Sequence, residues 1–98
     1  MSATDLDTAT KPKVKTPSMW KVVLHNDDYT PMDFVIEMLS RVFHKAGEEA
    51  VNITMTVHVK GKAPVGTYTK DVAETKVDQA MSMAVSQGHP LLATIEEA

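Results

Sequence analysis

The sequence predicts a small α+β domain. Two stretches repeat apolar residues at the spacing of a helix, several shorter runs are rich in β-branched residues, and Gly and Pro separate them. These runs share 98 residues, a length that suits a single core. A hydrophobic content of 43% is enough to fill a modest one.

The chain divides near Met19. Residues 1–18 consist largely of Ser, Thr, Asp, Ala and Pro with alternating Lys11, Lys13 and Lys15, and hold almost nothing to bury. Such a composition cannot offset the entropy of ordering a chain, so a mobile N-terminal extension is expected. Residues 19–98 form the expected core. It opens with Trp20-Lys21-Val22-Val23-Leu24-His25, a strand on its β-branched and aromatic content and lack of a breaker.

Asn26-Asp27-Asp28-Tyr29-Thr30-Pro31-Met32 follows. Three polar acceptors in a row between a strand and a helix start, without a nearby donor, suggest a bound cation or amine. Thr30 is a suitable N-cap, and Pro31 loses nothing by lacking an N–H at the first helical position. Asp33 complements the helix dipole. Phe34, Val35, Met38, Leu39, Val42 and Phe43 then define one buried stripe, ending near Lys45 to Gly47.

Residues 52–59 are ambiguous. Strict alternation in Asn52-Ile53-Thr54-Met55-Thr56-Val57-His58-Val59 argues for a strand. Glu48 and Glu49 suit a helix N-terminus, Ala50, Ile53 and Val57 share a helical face, and Gly61 is a fitting stop. Local pattern alone leans to the strand. Ala63 to Thr69 reads as a strand with a bulge at Gly66. Asp71 with Glu74 resembles a capping box ahead of the stripe Ala73, Val77, Ala80, Met81 and Ala84. Gly88 and Pro90 stop that helix, and Leu91 to Ile95 closes the domain as a strand. There is no internal repeat.

Composition removes several function classes. A formal charge of −3 offers no basic patch for nucleic acid. The absence of cysteine excludes disulfides and thiolate metal sites and fits a reducing compartment. No apolar run approaches the roughly 18 residues of a membrane span, and the N-terminus lacks a signal-peptide core. A soluble, cytoplasmic protein is expected.

Asp27 and Asp28 could perform acid–base work or hold Mg²⁺, but carboxylates are also common in turns, where they bond their own backbone. His25, His44, His58 and His89 are too scattered for a zinc spacing. Neither a nucleophile elbow nor a Gly-rich phosphate loop is present, and a hydrolase built on Asp27, Asp28 and His58 lacks a third acidic ligand. Local residues therefore point away from an enzyme, a metal or a cofactor. His58, among Met55, Val57 and Val59, reads either as a neutral acceptor at a pocket rim or as an ordinary exposed histidine.

The ordered string of motifs from Trp20 to Glu97 resembles the ClpS family of adaptor proteins. It comprises Asn26 to Met32 followed by Phe34-Val35, Val57-His58 with Gly61, Gly66 and Tyr68, Val72 to Val77, and His89-Pro90-Leu91-Leu92 ahead of Thr94. The resemblance implies a small three-stranded antiparallel sheet packed by three helices, and makes the segment ending in His58 helical. It also implies an N-recognin that binds proteins with a bulky hydrophobic first residue (Leu, Phe, Tyr or Trp) and hands them to the ClpA ATPase for degradation by ClpP.

Family positions map the α-amino site to Asn26, Asp27, Asp28 and His58, which suits an ammonium that donates three hydrogen bonds. The hydrophobic pocket maps to Leu24, Thr30, Met32, Val35, Thr54, Val57 and Leu91. Asp71, Glu74 and Lys76 match the surface shown to the ClpA N-terminal domain, with Asp71 in place of the usual Glu. The extension is implied to engage the ATPase during handover, and the protein to be a monomer. Two further departures bear on specificity: Thr54 replaces a usual Met, and His25 replaces an aliphatic residue. The alternative is an interaction module for another AAA+ partner without N-degron recognition, separated by whether binding needs a free N-terminus.

Overall fold

The computed structural model describes residues 17–98. Of the expected mobile extension, residues 1–16 lie outside the described residues. The core runs β1 (Met19–His25), α1 (Met32–Phe43), α2 (Gly47–Lys60), β2 (Lys62–Thr69), α3 (Lys70–Ser86) and β3 (Leu92–Glu97). The expected architecture of three helices on a three-stranded antiparallel sheet is present.

β1 is the central strand, in the order β2-β1-β3, and pairs antiparallel on both sides. Val22, Val23 and Leu24 of this strand are all buried, in keeping with its apolar, β-branched run. Val22 and Leu24 join the main core, while Val23 points to the other side of the pleat. The β1–β2 register runs Val22↔Gly66 and then Val23↔Pro64. Val65 is therefore the extra residue of a bulge, at the place the Gly66 signal indicated. A Cβ on Gly66 would lie 2.6 Å from the Tyr68 hydroxyl, so glycine lets that side chain lie against the strand.

All six apolar residues of the predicted α1 stripe are buried. Met38 and Leu39 are fully so, as is Leu24 of β1, and each such side chain stabilises the fold by roughly 1.5–3 kcal/mol. Two start signals need correction. The α1 N-cap is Pro31, in an extended conformation, whereas the Thr30 hydroxyl donates to Asp27 Oδ2 at 2.8 Å. Similarly, α3 begins one residue ahead of Asp71, with Thr69 as N-cap and no side-chain cap bond. The Thr69 hydroxyl donates to Asp71 Oδ1 at 2.8 Å instead, so the expected capping box does not form. α1 ends where His44 adopts a left-handed conformation and the Lys45 N–H reaches back to Leu39 O at 3.0 Å.

Residues 47–60 are helical, against the local alternation and in agreement with the family resemblance. Thr54 and Thr56 donate their hydroxyls to the carbonyls of Ala50 and Asn52, each at 2.8 Å, which reconciles two β-branched residues with a helix interior. Gly61, with φ of 92°, ends the helix as its sequence position suggests. Along α3, Ala73, Ala80 and Ala84 are completely buried and Val77 nearly so. These short side chains let α3 lie close to its neighbours. No helix among the described residues is long and apolar enough to cross a membrane.

Candidate functional site

A pocket of about 240 Å³ opens where the C-terminal end of β1 meets the end of α2 and the start of α1. β1 contributes Leu24 and His25 before the chain leaves the sheet. The loop supplies Asn26, Asp27, Asp28 and Thr30, and the first turn of α1 brings Met32 and Val35. Thr54, Val57 and His58 reach it from one face of α2, at i, i+3 and i+4. Leu91 closes the floor just ahead of β3. Every residue expected for the α-amino site or the hydrophobic pocket thus lines this one cavity.

The local structure of the loop is set by Asp27. Its Oδ1 accepts from the N–H groups of Tyr29 at 2.8 Å and Thr30 at 2.7 Å, and Oδ2 takes the Thr30 hydroxyl. This is the turn role that carboxylates often fill. Burial works to raise the Asp27 carboxyl, but the Thr30 and Tyr29 hydrogen bonds and the charge of His89 outweigh it and hold the group below its ordinary value of 3.8. Asp27 therefore shapes the loop and supplies negative charge, while Asn26 and Asp28 stand exposed at the mouth.

Opposite them, His58 is exposed at the end of α2. The two sides of the mouth are joined by the Asn26 N–H, which donates to Gly61 O at 2.9 Å. Deeper in, Leu24, Val35, Thr54, Val57 and Leu91 are buried. Thr54 is the sole polar side chain in that class among the described residues. Its hydroxyl donates to Ala50 O, so it has no hydrogen left to offer a ligand. The cavity thus combines an acceptor-rich, acidic rim with an apolar interior, suited to a ligand with a cationic, donor-rich head and an apolar body.

Two histidines carry more than the sequence showed. His25 lines the pocket and shares a 2.8 Å hydrogen bond with Thr94 Oγ1, a pairing 69 positions apart that no local pattern reveals. His89 packs edge-on against Phe34, with ring centroids 4.7 Å apart, and its charge acts on Asp27. Among the described residues no group of three His, Asp or Glu side chains could hold a metal ion.

Asp71, Glu74 and Lys76 lie apart from the pocket, on the first turns of α3. Asp71 and Glu74 are exposed and share a shallow hollow with Trp20 and Lys70, whose ammonium sits 5.0 Å from the indole centroid. The hydrogen bond from Thr69, followed by that from the Val72 N–H, lowers the Asp71 carboxyl below its ordinary value despite some desolvation. Lys76 differs: its Nζ donates to Val42 O at 2.8 Å and lies 5.7 Å from the Tyr68 ring centroid. It closes the carbonyl end of α1 as well as standing on the α3 face.

A family profile described as ATP-dependent Clp protease adaptor protein ClpS matches residues 15–94. The chain is 52% identical over 93 residues to the ATP-dependent Clp protease adapter protein ClpS of Vibrio atlanticus, covering 95% of this chain and 88% of that protein. It is 50% identical over 94 residues to the protein of the same name from Maricaulis maris, covering 96% and 86% respectively. Among solved structures, Agrobacterium tumefaciens ClpS2 bound to L-phenylalaninamide superposes with a TM-score of 0.82 at 38% identity, over 85% of this chain and all of that one.

Proposed function

The chain belongs to the ClpS family of ATP-dependent Clp protease adaptor proteins, and from that premise we propose that it is an N-recognin rather than an enzyme. It binds the free α-amino group and bulky first side chain (Leu, Phe, Tyr or Trp) of N-degron substrates and delivers them to the ClpA ATPase of ClpAP. The observation that carries this reading is the union, in one pocket of about 240 Å³, of an acidic rim with a buried apolar interior. The ligand named for the Agrobacterium relative, L-phenylalaninamide, has the two features such a pocket selects, a free amine and an aromatic side chain.

Asn26, Asp28 and His58 accept the three ammonium protons, with Asp27 holding the loop and adding charge. Each charge-assisted bond contributes roughly 1.5–3 kcal/mol, and burial of a Leu or Phe side chain about as much again. An acetylated nitrogen has no charge and keeps one N–H in place of three, so the same residue inside a chain is rejected. Delivery uses Asp71, Glu74 and Lys76 against the ClpA N-terminal domain, with the N-terminal extension engaged by the ATPase, in the cytoplasm and with a monomeric adaptor.

Fluorescence polarisation with peptides differing only at residue one (Leu, Phe, Tyr, Trp, Ile, acetyl-Phe) tests the first half. Binding that requires a free bulky N-terminus is expected; equal affinity for Phe and acetyl-Phe refutes it. Deleting residues 2–17 should preserve that binding and abolish ClpAP-dependent degradation. Loss of peptide binding on truncation contradicts this division of labour.

A further inference from the structure

Resting on the reading of this pocket as an α-amine site, we propose that it also takes small free arylalkylamines such as phenethylamine and tyramine, and turns away free amino acids. The rim accommodates a neutral group beside the bound ammonium but not a carboxylate.

Among the described residues, the acidic side chains lining the pocket are Asp27 and Asp28, and no Lys or Arg is among the lining residues. The nearest basic residues in sequence, Lys60 at the end of α2, Lys21 in β1 and Lys62 at the start of β2, stand outside the lining. His25 and His58 are the other basic side chains of the lining and the charge of His89 acts on Asp27, but none is a guanidinium, so a ligand carboxylate would face two carboxylates without the bidentate fork that normally receives one. The lowered value of Asp27 keeps that charge present throughout the neutral range.

In a free amino acid the carboxylate is bonded to the carbon that bears the ammonium, so the ligand cannot bring one to the rim without the other. At an effective dielectric of about 20, like charges about 6 Å apart repel strongly enough to lower affinity roughly a hundredfold. A peptide bond or primary amide at that place is neutral, and its carbonyl can accept from the Asn26 side-chain amide. An arylalkylamine has no group there at all. It forgoes about one hydrogen bond, a loss of roughly tenfold, and meets no repulsion. The pocket thus reads the charge on the far side of the α-carbon as well as the amine, which would keep it clear of the free amino acids around it.

The test is displacement of a fluorescein-labelled Phe-Leu-Gly-Ser-Gly peptide from the full-length chain at pH 7, read by polarisation. Phenylalaninamide is expected to compete best, phenethylamine and tyramine within about tenfold of it, and phenylalanine and tyrosine roughly a hundredfold less well. Replacing Asp28→Asn should shrink the gap between phenylalanine and phenylalaninamide severalfold. Phenylalanine competing as well as its amide, or phenethylamine failing to displace the probe, overturns the proposal while the bound probe leaves the N-degron reading standing. Failure of the probe itself to bind removes that reading, and the proposal with it.

Discussion

The backbone N–H of Asn26 donates to the carbonyl of Gly61 at 2.9 Å, tying the exit of β1 to the turn that ends α2. Through this bond the loop carrying Asn26 and Asp28 and the helix carrying His58 are held across one pocket mouth. Gly61 makes the bond feasible because its φ of 92° turns the chain sharply out of the helix. A Cβ there would meet nothing within 4 Å, so Gly61→Ala introduces backbone strain without a clash. A cost of roughly 1–2 kcal/mol is expected, seen as a fall in Tm of about 5–10 °C. Peptide affinity should fall with it; a variant with unchanged Tm would refute the strain argument.

Asp27→Asn keeps an acceptor for the Tyr29 and Thr30 N–H groups but removes the charge. Because the folded-state value lies below the ordinary 3.8, the stabilisation by the native carboxylate is fully present above that ordinary value. It is lost as pH falls through the folded value. Native and variant proteins should differ at pH 7 by about 0.5–1 kcal/mol, allowing for solvent screening, and converge as pH falls below 3.8. Urea midpoints across that range measure it, and a gap that persists in acid contradicts it.

Lys76→Met retains the aliphatic stem and removes the ammonium from Val42 O and from the Tyr68 face. Stability should drop by roughly 1 kcal/mol, measured by urea unfolding. Binding of N-degron peptides should stay within about twofold, since Lys76 is remote from the pocket lining. A fully stable variant would show that the bond to Val42 contributes nothing.

At Thr54 the hydroxyl is already engaged by Ala50 O, so Thr54→Val should leave peptide affinities within about twofold. Thr54→Met adds bulk to the interior wall. It should shift preference from Trp and Ile toward Leu by roughly 1–3 kcal/mol, read by the same polarisation assay. Indistinguishable Leu, Phe, Trp and Ile affinities in native and Met variants would show that Thr54 does not set specificity.

The long stripes were legible because each repeats one chemical class on one face; α1 buries all six residues its spacing marks. The segment from Asn52 to Val59 was not, because its alternation joins residues from different sides of a helix. Met55 and Val59 are exposed whereas Val57 is buried, and periodicity alone cannot tell an exposed apolar residue from a core one. Cap positions failed for a related reason. Thr30 and Asp71 are good capping residues, but each spends its side chain on a closer partner, Asp27 and Thr69. At the pocket, spacing in the chain gave the acceptor run and the doubt over His58; only the ordered motifs brought Asn26, His58 and Leu91 to one place. The pairing of His25 with Thr94 needed the sheet register.

The bulge at Val65 also bears on how this small open sheet meets other chains. β2 and β3 are its outer strands, and an unblunted outer strand invites pairing with any extended polypeptide. Along β2, Pro64 has no N–H to offer and the bulge beside it breaks the even ladder; β3 finishes on Glu96 and Glu97. Extended polypeptide brought close to this surface therefore finds no uninterrupted rail on β2 and a charged end on β3. On the proposed reading of the pocket, contact is thereby steered toward a substrate's chain end, and the domain is guarded against seeding aggregation.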